Sequence, residues 1–448
     1  MIALPIGGTG AGCAAGSNAV VVDTFAAIAS TITYGAPFIV TRGWSLVGIG
    51  AARYRRTASP APSDVQWASR GAARSRDGHH YRLEPSAAIE VDQFGAIGDD
   101  EANDYVAIQS AIAFWQTAGG TVAFSAGRRY FVGAWSGRIN RIFMIDHLRD
   151  AVIDGRGATI RSHSATPHCQ TFLFTLRDFS NVTIRSMRAT DSGTDINAEW
   201  RGLYFISPDA NLGDCDNLTL DRIVVYDAVA FLFAAGTLPQ RVRGIRVTRS
   251  SAVRCYYGMV FAENGDKVRA DLSTRNCRRS YFAYGVSDHE INLTVDHDSD
   301  ALGADACFLI KRYVFDTRDI RLNATFRGSV ARFSNLVKLE HQPDPSTGTA
   351  RISDIRIVFD LLQVSAGLDR VTGIGFSSYS GMRLETVRTA NTWSAITISG
   401  DLNLVQHPIT AYSGPSIAVR VNLEGPAARI APALPSGFTL IRRSQTAR

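Results

Sequence analysis

From about residue 180 onward the chain repeats short strands whose apolar and polar positions alternate. Val182-Thr-Ile184, Leu218-Thr-Leu220, Ile245-Arg-Val247, Val268-Arg-Ala270, Ile291-Asn-Leu293, Ile320-Arg-Leu322 and Ile355-Arg-Ile357 form one series. Each has the period of two that marks a strand with one face buried. A second series keeps step with it: Leu203-Tyr-Phe205, Phe231-Leu-Phe233, Met259-Val-Phe261, Tyr281-Phe-Ala283, Phe308-Leu-Ile310, Val337-Lys-Leu339 and Ile374-Gly-Phe376. Two series locked together at intervals of 22 to 37 residues describe one repeating unit. That spacing is short for a propeller blade, and no unit holds the amphipathic helix of a leucine-rich or ankyrin repeat.

What remains is a coil of short strands turned by irregular corners, in which successive rungs stack ~4.8 Å apart and like residues form columns. The pattern predicts an all-β fold, a single-stranded right-handed parallel β-helix from about residue 121 to 380, followed by a short β-rich segment. Phe205, Phe233, Phe261, Ala283, Ile310, Leu339 and Phe376 form the expected inward column. Cys255 and Cys277 fall at equivalent corners, where stacked small side chains suit the geometry better than a metal site.

Upstream the pattern changes. Ile108, Ala111, Ile112 and Trp115 mark one face of a helix of about three turns, with Asn103 or Asp104 as its cap and Gly119-Gly120 as its end. Its predicted role is to cover the open apolar end of the coil, which would otherwise meet water. The surrounding stretch, Phe94-Gly-Ala-Ile-Gly-Asp99, then Ala107-Ile-Gln-Ser-Ala-Ile112, Gly119-Gly-Thr-Val-Ala-Phe124 and Gly127-Arg-Arg-Tyr130, resembles the opening motif of the pectate-lyase-like β-helix superfamily. It departs from that motif at Asp100 in place of Gly, at Asn103 and Tyr105, at Ser125 in place of Pro, and at Arg128-Arg129. These departures concern turns and leave the apolar skeleton intact.

Residues 20 to 83 resemble the small head module that precedes the β-helix in many phage and prophage tail proteins. The matching residues are Thr24-Phe25, Gly43-Trp44, Gly48-Ile-Gly50-Ala-Ala-Arg53-Tyr54-Arg55-Arg56, Asp77-Gly78 and Tyr81-Arg-Leu83. The expected organisation is a head module over 1–88, a β-helix over 89–380 with opening motif and capping helix at 91–130, and a C-terminal β-rich segment over 381–448. The resemblance to tailspikes implies a virion tail protein that engages host cell-surface polysaccharide as a homotrimer, made in the host cytoplasm and acting outside the cell. A free polysaccharide lyase of pectate-lyase type is the alternative within the same superfamily.

Composition narrows the partners. With 45% hydrophobic and 20% charged residues the chain suits a folded, core-bearing protein. No apolar run approaches the roughly 20 residues that span a bilayer, since the best candidate, Val20 to Val40, is broken by Asp23, Tyr34, Gly35 and Pro37. The first residues lack the basic start of a secretory leader, and no membrane insertion is expected. The net charge of +6 is carried by arginine, lysine occurring only at 267, 311 and 338. The arginines form no basic tract, helix-turn-helix or zinc-finger pattern, which argues against nucleic acid. Six scattered cysteines read as reduced, buried residues. Gly7-Gly-Thr-Gly-Ala-Gly12 is followed by no Lys-Ser/Thr, so it reads as a leader and not a nucleotide loop. Asn181, Asn217, Asn292 and Asn323 begin N-x-T triplets whose positions follow the corners of the coil.

The chemistry is expected where successive rungs present polar groups in an outer column. After the second series those columns run Ile206, Ala234, Ala262, Tyr284, Lys311, Glu340, Ser377 and Ser207, Ala235, Glu263, Gly285, Arg312, His341, Ser378. Loops carrying Asn264-Gly-Asp266, Asp288-His289-Glu290, Tyr313 and Asp344 are expected beside them. Glycoside hydrolysis needs two carboxyl groups, roughly 5–5.5 Å apart for retention and 6.5–9.5 Å for inversion. Glu263 with Asp266 or Asp288 is the first candidate pair, and Glu340 with Asp344 the second. A lyase needs a base and a cation for the developing enolate, for which Tyr284, Lys311, Arg312 and His341 are candidates, also as substrate-binding groups. A binding protein without catalysis fits the same residues. The run Asp296-His-Asp298-Ser-Asp300 lacks the glycine and terminal glutamate of a calcium loop, so no metal and no cofactor are expected. Arg246, Arg269, Asn292, Arg321 and Arg356 make the strongest basic stripe.

Overall fold

The computed structural model describes residues 18–58, 71–85, 87–198, 201–236, 240–298, 303–312, 316–341, 352–366, 372–378, 393–394, 396–400, 407–409, 419–423 and 438–442. The chain forms two compact units, 1–133 with 151–161, and 134–150 with 162–448.

In the first unit, five strands, Ala19–Val22, Phe38–Gly43, Val47–Thr57, His80–Leu83 and Ala72–Arg74, lie in that order in one sheet, antiparallel except for its first pair. Its inner face buries Ile39, Tyr54, Tyr81 and Leu83. The same unit holds the helix Tyr105–Ala118 and the short parallel rungs Ile89–Glu90 and Thr121–Ala123, with 152–154 stacked on the latter. This unit therefore reaches past residue 88.

The helix buries Ile108, Ala111, Ile112 and Trp115, as its spacing predicts, and Phe114 besides, and stops at Gly119, whose φ of +74° and that of Gly120 at +84° suit glycine. Its start is built differently. The Asn103 Oδ1 accepts from the Tyr105 N–H, whereas the Asp104 carboxylate accepts from the Ile97 and Gly98 N–H groups of the preceding turn. Burial raises Asp104 to about 6, against those two hydrogen bonds. The departures of the opening motif also compensate one another. Asp100 takes the left-handed conformation at φ +71° and is clamped by Arg161 Nε at 2.6 Å and Arg129 at 3.0 Å.

The second unit is the parallel β-helix. Its strands pair in two interleaved series, each rung parallel to the one before. Phe179–Asp191 pairs Cys215–Tyr226, which pairs Arg246–Val253, then Tyr257–Arg275, Arg279–His297, Thr317–Ser329 and Ile352–Ala366. The pairing continues through Ile396–Gly400, Val419–Leu423 and Phe438–Arg442, so parallel stacking does not stop at residue 380. Corners use left-handed residues, among them Asn181 and Asn217 at φ +56° and +58°. The side chains of these two hydrogen-bond to each other at 3.1 Å, and Asn323 does the same to Asn292 at 2.9 Å. Cys169, Cys215, Cys255, Cys277 and Cys307 are all free and buried, and burial pushes the Cys215 and Cys307 thiols up to about 12. Cys13 lies outside the described residues.

The register differs from the expected one at two places. Ile291 stands opposite Ala270 and Leu322, and His289 opposite Val268 and Ile320, a slip of two residues that preserves which face is buried. His289 therefore occupies an inward column, 1% exposed, with Nδ1 accepting from the Tyr281 hydroxyl at 2.7 Å and Nε2 donating to the Gly265 carbonyl at 3.2 Å. In the second series Ala234, not Phe233, faces Phe261, while the column from Phe261 through Ala283, Ile310, Leu339 and Phe376 stands as expected. The run Ala230-Phe-Leu-Phe-Ala-Ala235 is apolar throughout, so its pattern cannot hold a register.

Candidate functional site

One outer sheet face of the β-helix unit carries three columns. Residues that alternate with them, Leu232, Met259, Tyr281 and Phe308, are fully buried and define the inward side. The first outer column is Arg141, Phe172, Tyr204, Ala230, Tyr257 and Arg279. The second is Phe233, Val260, Phe282, Leu309 and Lys338. The third is Asp209, Ala235, Ala262, Tyr284, Lys311 and Glu340.

The first two columns form an aromatic cluster in which Tyr204, Ala230, Tyr257 and Val260 are buried. Phe172 stacks on Tyr204 with centroids 4.5 Å apart, and Phe233 meets both edge-on at 6.2 and 5.5 Å. Tyr257 stacks on Phe282, which neighbours Tyr284 at 5.4 Å. Phe172, Phe233 and Phe282 are half-buried, so these rings reach solvent. The Arg278 guanidinium lies 4.8 Å over Tyr256, and the Lys311 ammonium 5.6 Å from the Phe282 ring.

Where the upper rungs meet, a cavity of about 210 Å³ opens, lined by Arg141, Phe172, Ser207, Asp209, Asn211 and Phe233, with Ala235 and Gly236 leaving the space. Asp209 is 8% exposed; its Oδ1 accepts from the Asn211 N–H at 3.1 Å, and its Oδ2 lies 3.8 Å from Arg141. Sequence reasoning missed Asp209, Arg141 and Phe172. The one signal was Pro208-Asp209 closing the buried strand Gly202–Pro208, and the assumed register put Ile206 and Ser207 in its place.

The candidates named from the sequence are distributed unevenly. Glu263 sits two rungs from Asp209, one residue past Ala262, at a bulge where the register shifts between Ala262 and Gly265. It takes the left-handed conformation at φ +56°, a costly one for glutamate. Burial raises its carboxyl above the ordinary range, and among the described residues no group pairs with it.

Asp266 accepts from the Ser287 hydroxyl and pairs with Arg241 at 3.0 Å. Asp288 pairs with Arg269 at 2.8 Å. Both lie within strands, Tyr257–Arg275 and Arg279–His297, and not in the loops expected there. Glu340, 4% exposed, is gripped by Lys311 at 3.0 Å and Lys338 at 3.3 Å. Tyr284 and Lys311 stand in the third column as expected. Arg312 and His341 pair by backbone one rung apart, and their side chains lie outside the described residues, as do Asp344 and Tyr313.

The basic stripe is interrupted. Glu290, not Asn292, stands between Arg269 and Arg321 and pairs with Arg269 at 3.3 Å. A cavity of about 350 Å³ there is lined by both signs of charge, including Arg246, Arg269, Asp271 and Glu290. In the acidic run, Asp298 is tied to Asn276, and the described residues hold no His/Cys/Asp/Glu group arranged for a metal.

No family model matches the sequence, and no curated protein matches it. Among solved structures, the tailspike protein of Acinetobacter baumannii phage AM24 aligns with 94% of this chain and 65% of its own, at 14% identity and a TM-score of 0.48. A tailspike protein of Acinetobacter baumannii bacteriophage Fri1, a capsular polysaccharide depolymerase, aligns with 95% of this chain and 77% of its own at 9% identity, also with a TM-score of 0.48. Pantoea stewartii WceF, a glycan biofilm modifying enzyme with a tailspike-like parallel β-helix fold, aligns over 68% and 46% at 13% identity and a TM-score of 0.39. The chain thus spans less than two thirds of the AM24 protein's length.

Proposed function

We propose that this protein is a tailspike-like depolymerase that binds host cell-surface polysaccharide along the aromatic outer face and hydrolyses it there. The observation that carries the reading is the outer face itself: half-buried rings run beside Asp209, and Glu263, unpaired among the described residues, lies two rungs on. An extended glycan matches a shallow surface that repeats every rung, and aromatic rings receive the apolar faces of sugars.

The chemistry follows from the two carboxyl groups. Asp209 bridges to Ala235, which pairs with Ala262. Two rungs at ~4.8 Å each set the stretches roughly 10 Å apart. That backbone separation is compatible with the roughly 6.5–9.5 Å of an inverting pair and is wide for the 5–5.5 Å of a retaining one. Glu263, held protonated more readily by burial, gives its proton to the leaving glycosidic oxygen, while Asp209 takes a proton from the attacking water. The lyase set is weaker, because Lys311 is already engaged by Glu340. A second reading, binding without cleavage, is favoured by one fact: Asp266, Asp288 and Glu340 are all committed to partners. A homotrimer attached to a phage tail through the N-terminal sheet belongs to the same proposal.

The test is incubation with a panel of purified bacterial capsular and exopolysaccharides, following reducing ends and absorbance near 235 nm. New reducing ends without absorbance are expected. A rise in both signals means a lyase, and binding with neither means an adhesin.

A further inference from the structure

We infer that the cavity between Arg141 and Gly236 is a subsite for one uncharged pyranose unit; this rests on the polysaccharide-binding reading and adds the class of sugar held there. Its volume of about 210 Å³ lies below the roughly 300–1,000 Å³ of sites for drug-sized ligands and suits a single ring. Phe172 and Phe233 form an apolar wall at nearly right angles, with an interplanar angle of 68°, so one ring receives a sugar's flat face while the other closes its side.

Opposite that wall stands the Asp209 carboxylate, which lines the cavity with its side chain 11% exposed. Among the described residues the Oδ2 of Asp209 makes no hydrogen bond, its nearest charged neighbour being Arg141 at 3.8 Å. A carboxylate oxygen that lines open space has acceptor capacity for a sugar hydroxyl. Arg141, which points no strong hydrogen bond at Asp209, retains N–H donors for a ring or hydroxyl oxygen.

The charge balance selects an uncharged sugar. Arg141 offsets Asp209, and Arg177, on the rung between them, is spent on Asp146 through bonds of 2.7 and 2.6 Å. An incoming uronate would set a second carboxylate beside Asp209, two negative charges against the single Arg141 guanidinium.

The experiment is saturation-transfer difference NMR on the full chain with glucose, galactose, mannose, rhamnose, N-acetylglucosamine, N-acetylgalactosamine and glucuronate, each as a free monosaccharide. At least one neutral pyranose is expected to receive saturation, and glucuronate none. In Asp209→Asn and Phe233→Ala the signal falls at least tenfold; melting curves identify any variant that has lost its fold, and the near-isosteric Asp209→Asn keeps the test open if Phe233→Ala does. Silence from every neutral pyranose, a response from glucuronate alone, or a signal that survives Asp209→Asn overturns the inference. Because the readout is binding, it separates from the catalytic reading: cleavage of polysaccharide with no pyranose response sinks the subsite alone, and a pyranose response without cleavage sinks the hydrolase alone.

Discussion

At the scale of single residues, the same side-chain type takes opposite roles according to its neighbours. Asp266, Asp288 and Glu340 are carboxylates fixed by cations, while Glu263 has no partner among the described residues and sits at a bulge with a carboxyl raised by burial. Glu263→Gln keeps the shape and removes the proton, so turnover of a cleaved polysaccharide should fall by about 10²–10⁴-fold, with binding retained. The alkaline limb of the wild-type rate profile should lie above the roughly 4.3 of an ordinary glutamate.

His289 yields a second prediction. Burial lowers it to about 4 in the folded chain, so between an unfolded value near 6.5 and 4 the unfolded chain binds the extra proton. Its contribution is present above pH 6.5 and lost as pH falls toward 4, a change of roughly 3 kcal/mol. Asp104, raised to about 6, acts in the opposite direction over the same range. The clean measurement is therefore the stability of wild type against His289→Gln in urea at pH 7 and pH 4.5, and the difference between them should shrink at the lower pH. An unchanged difference would show that His289 titrates normally.

At the scale of elements, strands and corners were legible because their period and turn residues are local properties. The helix over 105–118 was equally legible, but its cap was not, since Asp104 turns to Ile97 and Gly98 instead of capping its own helix. That makes Asp104 a tie between the opening turn and the helix. Asp104→Ala leaves two part-buried N–H groups without their acceptor and should cost about 1–2 kcal/mol, read from the urea midpoint at pH 7. Asn103→Ala, which removes a single exposed hydrogen bond, should cost less than about 1 kcal/mol.

At the scale of the whole molecule, the tailspike proposal makes a commitment that no single residue tests. Sedimentation at micromolar concentration should give three times the 48.5 kDa chain mass, and a stable monomer would remove the trimer from the proposal.

The sequence by itself determined the architecture, because an alternation of period two, repeated in two locked series, has few ways to bury its apolar side other than a stack of parallel rungs. It also determined Tyr284, Lys311 and Glu340 as one outer column, where polar residues interrupt the alternation and pin the register. Only the tertiary structure decided the neighbours of the upper rungs. Ala230–Ala235 is apolar on both faces, and a shift of one or two residues there leaves its burial pattern almost unchanged. That shift is what brings Asp209 beside Phe172, Phe233 and Arg141, residues separated by up to 92 positions in the chain. Hydrophobic patterning measures burial, which tolerates such a slip; a site depends on which side chains meet across rungs, which does not.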